Sequence, residues 1–147
     1  MRRALLVAAI LAVGLGTARC QENKAKAVDL TGRWRVVSTE ESGKLLPKSQ
    51  WVQSEWVFVG HTATVRSGID SQQYHFTTDD AKSPSHLTLQ AANPRFGFTC
   101  IYKVKRDRLD GDTMTICWNA GGQAARPAEF KTGLDDSYTL ITLRRDP

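Results

Sequence analysis

The feature that most limits what this chain can fold into is a two-residue period of apolar side chains. It recurs in short segments along the last four-fifths of the 147 residues, and turn-forming residues interrupt it. Successive side chains of a strand point to opposite faces, so this pattern makes sheet with one buried face. No stretch carries the 3.6-residue period that an amphipathic helix requires. The predicted strands are 32–39, 55–59, 63–67, 72–77, 86–90, 98–105, 113–118, 129–131 and 138–144. Short antiparallel strands at a spacing of about ten residues build a sandwich or an up-and-down barrel. Only 47–54 has the makings of a short helix, a lid or plug between the first two strands.

Turn chemistry sets the expected register. Ser42-Gly43, Val59-Gly60, Ser67-Gly68, Asn93-Pro94, Asp110-Gly111 and Gly121-Gly122 each put a permissive residue where the chain must reverse. With Leu109-Asp110-Gly111 as a three-residue loop and Gly111 left-handed, Val104 falls opposite Ile116 and Tyr102 opposite Trp118. Phe96, Phe98, Cys100, Tyr102 and Val104 alternate along one face, as do Met114, Ile116 and Trp118. Cys100 is therefore expected to face inward and Cys117 outward, and residues on opposite faces cannot be bridged; a register slip or bulge would change that.

Three Cys are too few for a disulfide framework, so a hydrophobic core must hold the fold. Twelve aromatic residues, four of them Trp, make that feasible, because each buries about 150–250 Å² when packed. A mean hydropathy of −0.36 with 24% charged residues fits a soluble domain. Twenty Lys and Arg against fifteen Asp and Glu give +5, of which Arg2 and Arg3 lie in a segment expected to be removed, leaving +3. Such a small excess argues for neither nucleic acid nor a membrane surface.

The order of that N-terminal segment is Arg2-Arg3, an apolar run over 4–13, then Gly14, Gly16, Thr17 and Ala18. It is the order of a secretory signal peptide, too short to span a bilayer. Cleavage is predicted after Ala18, with Ala27 as a later alternative. Residues 1–18 are then the signal peptide, 19–28 a disordered tether and 29–147 a single domain, placed outside the cytoplasm with no transmembrane helix in the mature chain. Cys20 suggests a lipid anchor as a minority reading, but Arg19 is a poor residue to precede a lipidated Cys.

Catalytic and metal-ligating patterns are weak. His61, His75 and His86 fall on different segments without Cys-x-x-Cys or His-Glu-x-x-His spacing, so no metal is expected. Asp107, Asp110 and Asp112 lack the twelfth-position glutamate of a calcium loop and suit a hairpin turn. Asp79-Asp80 and Asp135-Asp136 are adjacent in sequence and do not converge as glycosidase carboxylates do. Lys103, Lys105, Arg106 and Arg108 form the densest basic run, without an exposed aromatic platform for nucleic acid. With no Ser elbow, phosphate loop or dinucleotide fingerprint, and no His beside Cys117, the chain is not expected to be an enzyme or to carry a cofactor.

Leu30-Thr31-Gly32-Arg33-Trp34, followed by Val36-Val37 and Glu40-Glu41-Ser42-Gly43-Lys44, resembles the first strand and turn of lipocalin-like barrels. Pro84, Ile101-Tyr102, Asp110-Gly111-Asp112, Ile116-Cys117, Arg126-Pro127-Ala128-Glu129-Phe130 and the run 140–145 sharpen the likeness. Together they resemble the planctomycete family of uncharacterised exported lipocalin-like domain proteins, over about residues 29–145. The resemblance implies an antiparallel up-and-down barrel of about eight or nine strands with its first and last strands adjacent. It also implies Trp34 under the barrel floor with Arg144 or Arg145 over its face, a cation–π contact that would exclude water. Two departures are a longer stretch between Tyr102 and Asp110 and the bulk of Trp118. No activity transfers with the resemblance.

Two functions follow. A barrel open at one end could hold a small apolar or amphipathic ligand against some of Trp56, Phe58, Tyr74, Phe76, Leu87, Leu89, Phe98, Tyr102 and Trp118. Alternatively those side chains fill the barrel, leaving a monomeric structural or interaction domain with a partner in the cell envelope.

Overall fold

The computed structural model describes residues 27–93, 95–120 and 125–147. The signal peptide, Cys20 and most of the tether lie outside these residues, as do Pro94, Gly121 and Gly122 of the predicted turns. Nine strands form among the described residues: β1 (Gly32–Glu41), β2 (Lys44–Leu45), β3 (Ser54–Val59), β4 (Thr62–Ser67), β5 (Asp70–Asp79), β6 (Ser85–Ala91), β7 (Gly97–Lys105), β8 (Thr113–Asn119) and β9 (Tyr138–Arg145). All pair antiparallel, and β9 returns to β1, so eight strands close an up-and-down barrel. The two-residue β2, unforeseen in the sequence, extends β1 at the rim through Glu40–Leu45 and Glu41–Lys44 pairs. The 47–54 segment contributes one turn of 3-10 helix, Lys48–Gln50.

The period read from the sequence places the core. Trp34, Trp56, Phe58, Leu87, Leu89, Tyr102, Met114, Ile116 and Leu143 point into the barrel and are buried. Val37 is an extra residue in β1, since Val36 pairs with Leu143 and Ser38 with Thr142. Such a bulge bends the strand and reverses which positions face inward, so beyond it Thr39 is buried against Ile141.

Three predictions need correction. Tyr102 pairs with Ile116, Cys100 with Trp118 and Val104 with Met114, a shift of two residues from the expected register that leaves every side chain on its predicted face. The cause is a longer β7–β8 loop held by its own side chains. Asp107 Oδ1 accepts from the amides of Leu109 and Asp110, and Arg106 pairs with Asp112, while Gly111 takes the left-handed φ of +80°. Phe96 belongs to the β6–β7 loop and is exposed, because β7 begins at Gly97.

The predicted strand 129–131 does not form. The chain there crosses the outside of the barrel as a strap. Arg126 donates to the Leu87 carbonyl and Thr88 Oγ1, Lys103 lies 4.6 Å over the Phe130 ring, and Thr132 Oγ1 both donates to Glu40 and accepts from the Gly43 amide. A segment running across strands cannot join their ladder. Its cover explains why Ile101 and Cys117 are fully buried although they face outward.

One end of the barrel is sealed. Arg145 opposes Trp34 in the β1–β9 ladder and holds its guanidinium carbon 4.5 Å from the indole centroid, as the resemblance implied for one of the two terminal arginines; Arg144 is exposed. Trp34 Nε1 donates to the Leu30 carbonyl, and Arg145 and Arg106 both donate to the Asp29 carbonyl. Val28, assigned by the sequence to the tether, packs against the core, and its amide donates to Asp80.

Trp34→Ala is expected to cost about 3–5 kcal/mol in urea unfolding, as for other buried large-to-small aromatic changes; Arg145→Met should cost less, about 1 kcal/mol for the cation–π contact. Acid should weaken the same end. The Arg106 hydrogen bond holds the Asp112 carboxyl below its ordinary value of 3.8, and backbone amides do the same for Asp29 and Asp107. Groups with lowered folded values stabilise the fold above the unfolded value, and that contribution disappears as pH falls through the folded one. Unfolding midpoints should therefore drop below about pH 4, with a shallower acid dependence in Asp112→Asn.

Candidate functional site

The nine side chains nominated as barrel lining all reach the interior, but they divide between its halves. Near the sealed end Phe58, Leu87 and Tyr102 are buried, and Phe76 packs edge-on to Phe58 with ring centroids 5.1 Å apart. These residues fill space. Tyr102 Oη donates to Asp80, whose other carboxylate oxygen accepts from the Val28 amide. Burial, then the adjacent Asp80 carboxylate, raise the Tyr102 phenol well above its usual value, so it acts as a neutral hydrogen-bond donor and a wall. Asp80 had no signal in the sequence beyond its adjacency to Asp79.

Toward the other end the packing opens. Trp56, Tyr74, Leu89, Phe98 and Trp118, with Val65, surround a cavity of about 130 Å³ whose lining is almost wholly apolar. Each wall residue comes from a different strand, β3 to β8, at an inward position fixed by the alternation. The rings are mutually propped: Trp56 and Trp118 lie 6.1 Å apart, Phe98 and Trp118 6.3 Å, and Tyr74 and Phe98 5.7 Å at 62°. Tilted and edge-on contacts of this kind add to area burial and fix the walls. A cavity that is nearly the size of one that admits benzene is large enough for a ring or a short branched chain.

Outside the cavity lies a vestibule of about 660 Å³, which shares Tyr74 and Phe98 with it. Its remaining walls include Gln72, Ala91, Asn93, Arg95, Phe96 and Ala120. The β6–β7 loop can fold this way because Gly97 has no side chain: a Cβ there would meet the Leu89 carbonyl at 2.6 Å. Within the loop the Ala91 amide donates to the Phe96 carbonyl and the Arg95 amide to Asn93 Oδ1. Sequence reasoning missed Val65 and the vestibule. The alternation Ala63, Val65 on β4 would have found the former, whereas loop geometry carries no comparable signal.

Other candidates remain apart. His61 and His75 face each other at 5.8 Å on the exposed exterior, and His86 lies near Arg126 on the outer face. Among the described residues no group of three or more His, Cys, Asp and Glu could hold a metal ion. Cys100 and Cys117 are free thiols on opposite faces of the sheet, as the alternation required. Burial pushes Cys100 up to about 12 and Cys117 up to about 11, values at which neither is a thiolate near neutral pH. No family model matches the chain, and neither a curated protein nor a solved structure matches it.

Native protein should leave Cys100 and Cys117 unlabelled by a thiol reagent at neutral pH, with both reacting fully in denaturant, as read by peptide mass. Arg126→Ala, which loosens the strap, should expose Cys117 to labelling and leave Cys100 protected.

Proposed function

We propose that this protein is an exported, non-catalytic binding module that holds a small apolar or amphipathic ligand at the open end of its barrel. The observation carrying this reading is the apolar cavity between Trp56 and Trp118, which shares the Tyr74 and Phe98 walls with a vestibule at the end of the barrel opposite the Trp34 seal. A rigid concave apolar site with few polar groups is what a small-molecule carrier needs. Among the described residues the cavity and the vestibule are lined by no carboxylate, His or Cys, which supports binding without chemistry. The signal-like N-terminus supports action outside the cytoplasm, and the residue set from Leu30 to Arg145 supports placing the chain with the planctomycete lipocalin-like proteins. No helix among the described residues is long and apolar enough to cross a membrane.

A second reading has its own support. Leu45 and Val52 on the β1–β3 connection, Ile69, Phe96 and Leu134 are exposed at the open end, against Val59 and Leu109 at the sealed end. Exposed apolar tips concentrated at the open end suit an interaction domain of the cell envelope.

The two readings part on occupancy of the cavity. A neutral environment-sensitive dye such as N-phenyl-1-naphthylamine, its phenyl ring in the cavity and its naphthyl group in the vestibule, should brighten on mixing with folded protein and shift the Trp emission. Val65→Phe, which fills the cavity from β4, should keep the fold and weaken the dye at least tenfold. Dye that stays dark with folded wild-type protein would reject the carrier and favour the interaction domain.

A further inference from the structure

The vestibule is apolar on most sides but carries one guanidinium. Arg95 sits on the β6–β7 loop beside Phe96 and lines the vestibule with Asn93 and Gln72. Its amide is used within the loop, but its side chain has no hydrogen-bond or ion-pair partner among the described residues. Most other described arginines are engaged, the exposed Arg108 and Arg144 at the sealed end excepted, so Arg95 is the unengaged one that lines the vestibule. Arg66 is paired with Glu55 at 2.8 Å, Arg35 with Asp146 at 2.9 Å, Arg106 with Asp112, and Arg126 is spent on the strap. Among the acids at this end, Glu41 accepts from Thr139, Asp70 starts β5 two residues before Gln72, and Asp135 and Asp136 precede β9; none of them lines the cavity or the vestibule.

We propose that Arg95 receives the anionic group of an amphipathic ligand whose apolar end occupies the cavity between Trp56 and Trp118. This deepens the carrier reading and rests on it. The apolar end is limited by the 130 Å³ cavity to a single ring or a short branched chain, and the Tyr74 and Phe98 rings line both the cavity and the vestibule. The anionic end is a carboxylate or a group of similar shape, since a guanidinium offers a planar pair of donors matched to two oxygens. Asn93 and Gln72 add amide groups to the same wall. Neutral molecules of equal size fit the cavity and forgo the charge-assisted bonds.

The test compares 4-ethylbenzoate with 4-ethylbenzamide, each displacing N-phenyl-1-naphthylamine from wild-type protein and from Arg95→Gln. Because Arg95 is exposed and unpaired, the variant should fold as the wild type does, with unchanged Trp emission before ligand is added. In wild type the benzoate should bind at least tenfold tighter than the benzamide. In Arg95→Gln the benzoate should fall to the benzamide's affinity while the benzamide is unchanged. Equal affinities in wild type, a preference that survives in Arg95→Gln, or a variant that weakens both compounds alike would overturn the assignment while leaving the carrier reading in place. Failure of the dye and both compounds to bind wild-type protein would overturn both.

Discussion

The ladder between β1 and β9 is the constraint on which the rest of the molecule depends. Without it the eight strands are an open sheet with two unpaired edges, a hazard that closure removes. The pairing does more than close the sheet. It sets Trp34 opposite Arg145, so the contact that joins the edges also lays a guanidinium on the indole and seals that end. The bulge at Val37 lies within the same ladder and turns Thr39 inward against Ile141 beyond it.

Sealing one end makes the two halves of the interior different. Near Trp34 the side chains fill the barrel and most polar groups are paired, Tyr102 with Asp80, Asp80 with the Val28 amide and Asp112 with Arg106, while the buried Arg145 Nε makes no hydrogen bond among the described residues and lies 3.7 Å from Asp112. Near the rim the largest rings brace one another instead of collapsing, because Trp56, Trp118, Phe98 and Tyr74 make tilted contacts across strands. Rigid aromatic walls resist closing over a void of about 130 Å³, where flexible side chains would fill it. The filled half supports the open half, and the strap across β6 to β1 stiffens the wall from outside.

Alternation in the sequence placed the nine nominated lining residues from Trp56 to Trp118 inward, and the two cysteines on opposite faces, because strand periodicity is a local property. Register was less legible. The β7–β8 loop depends on Asp107 and Asp112 capping backbone amides and pairing with Arg106, which a Gly111 turn signal alone does not specify. The strap was hidden for a similar reason. Its trace was there in Ile101 and Cys117, apolar residues at outward positions that strict alternation leaves unexplained and that only a covering segment accounts for. Arg95 carried no sequence signal, since its place depends on Gly97 letting the loop lie against β6.

The claim at the centre of this account is that the barrel keeps an unfilled apolar chamber behind its open end. Xenon enters dry apolar cavities and marks them in diffraction. Crystals of the protein pressurised with xenon should show a xenon site bounded by Trp56, Val65, Leu89 and Trp118. Side chains closed over that position with no xenon between them would contradict the account and make this a barrel filled by its own residues.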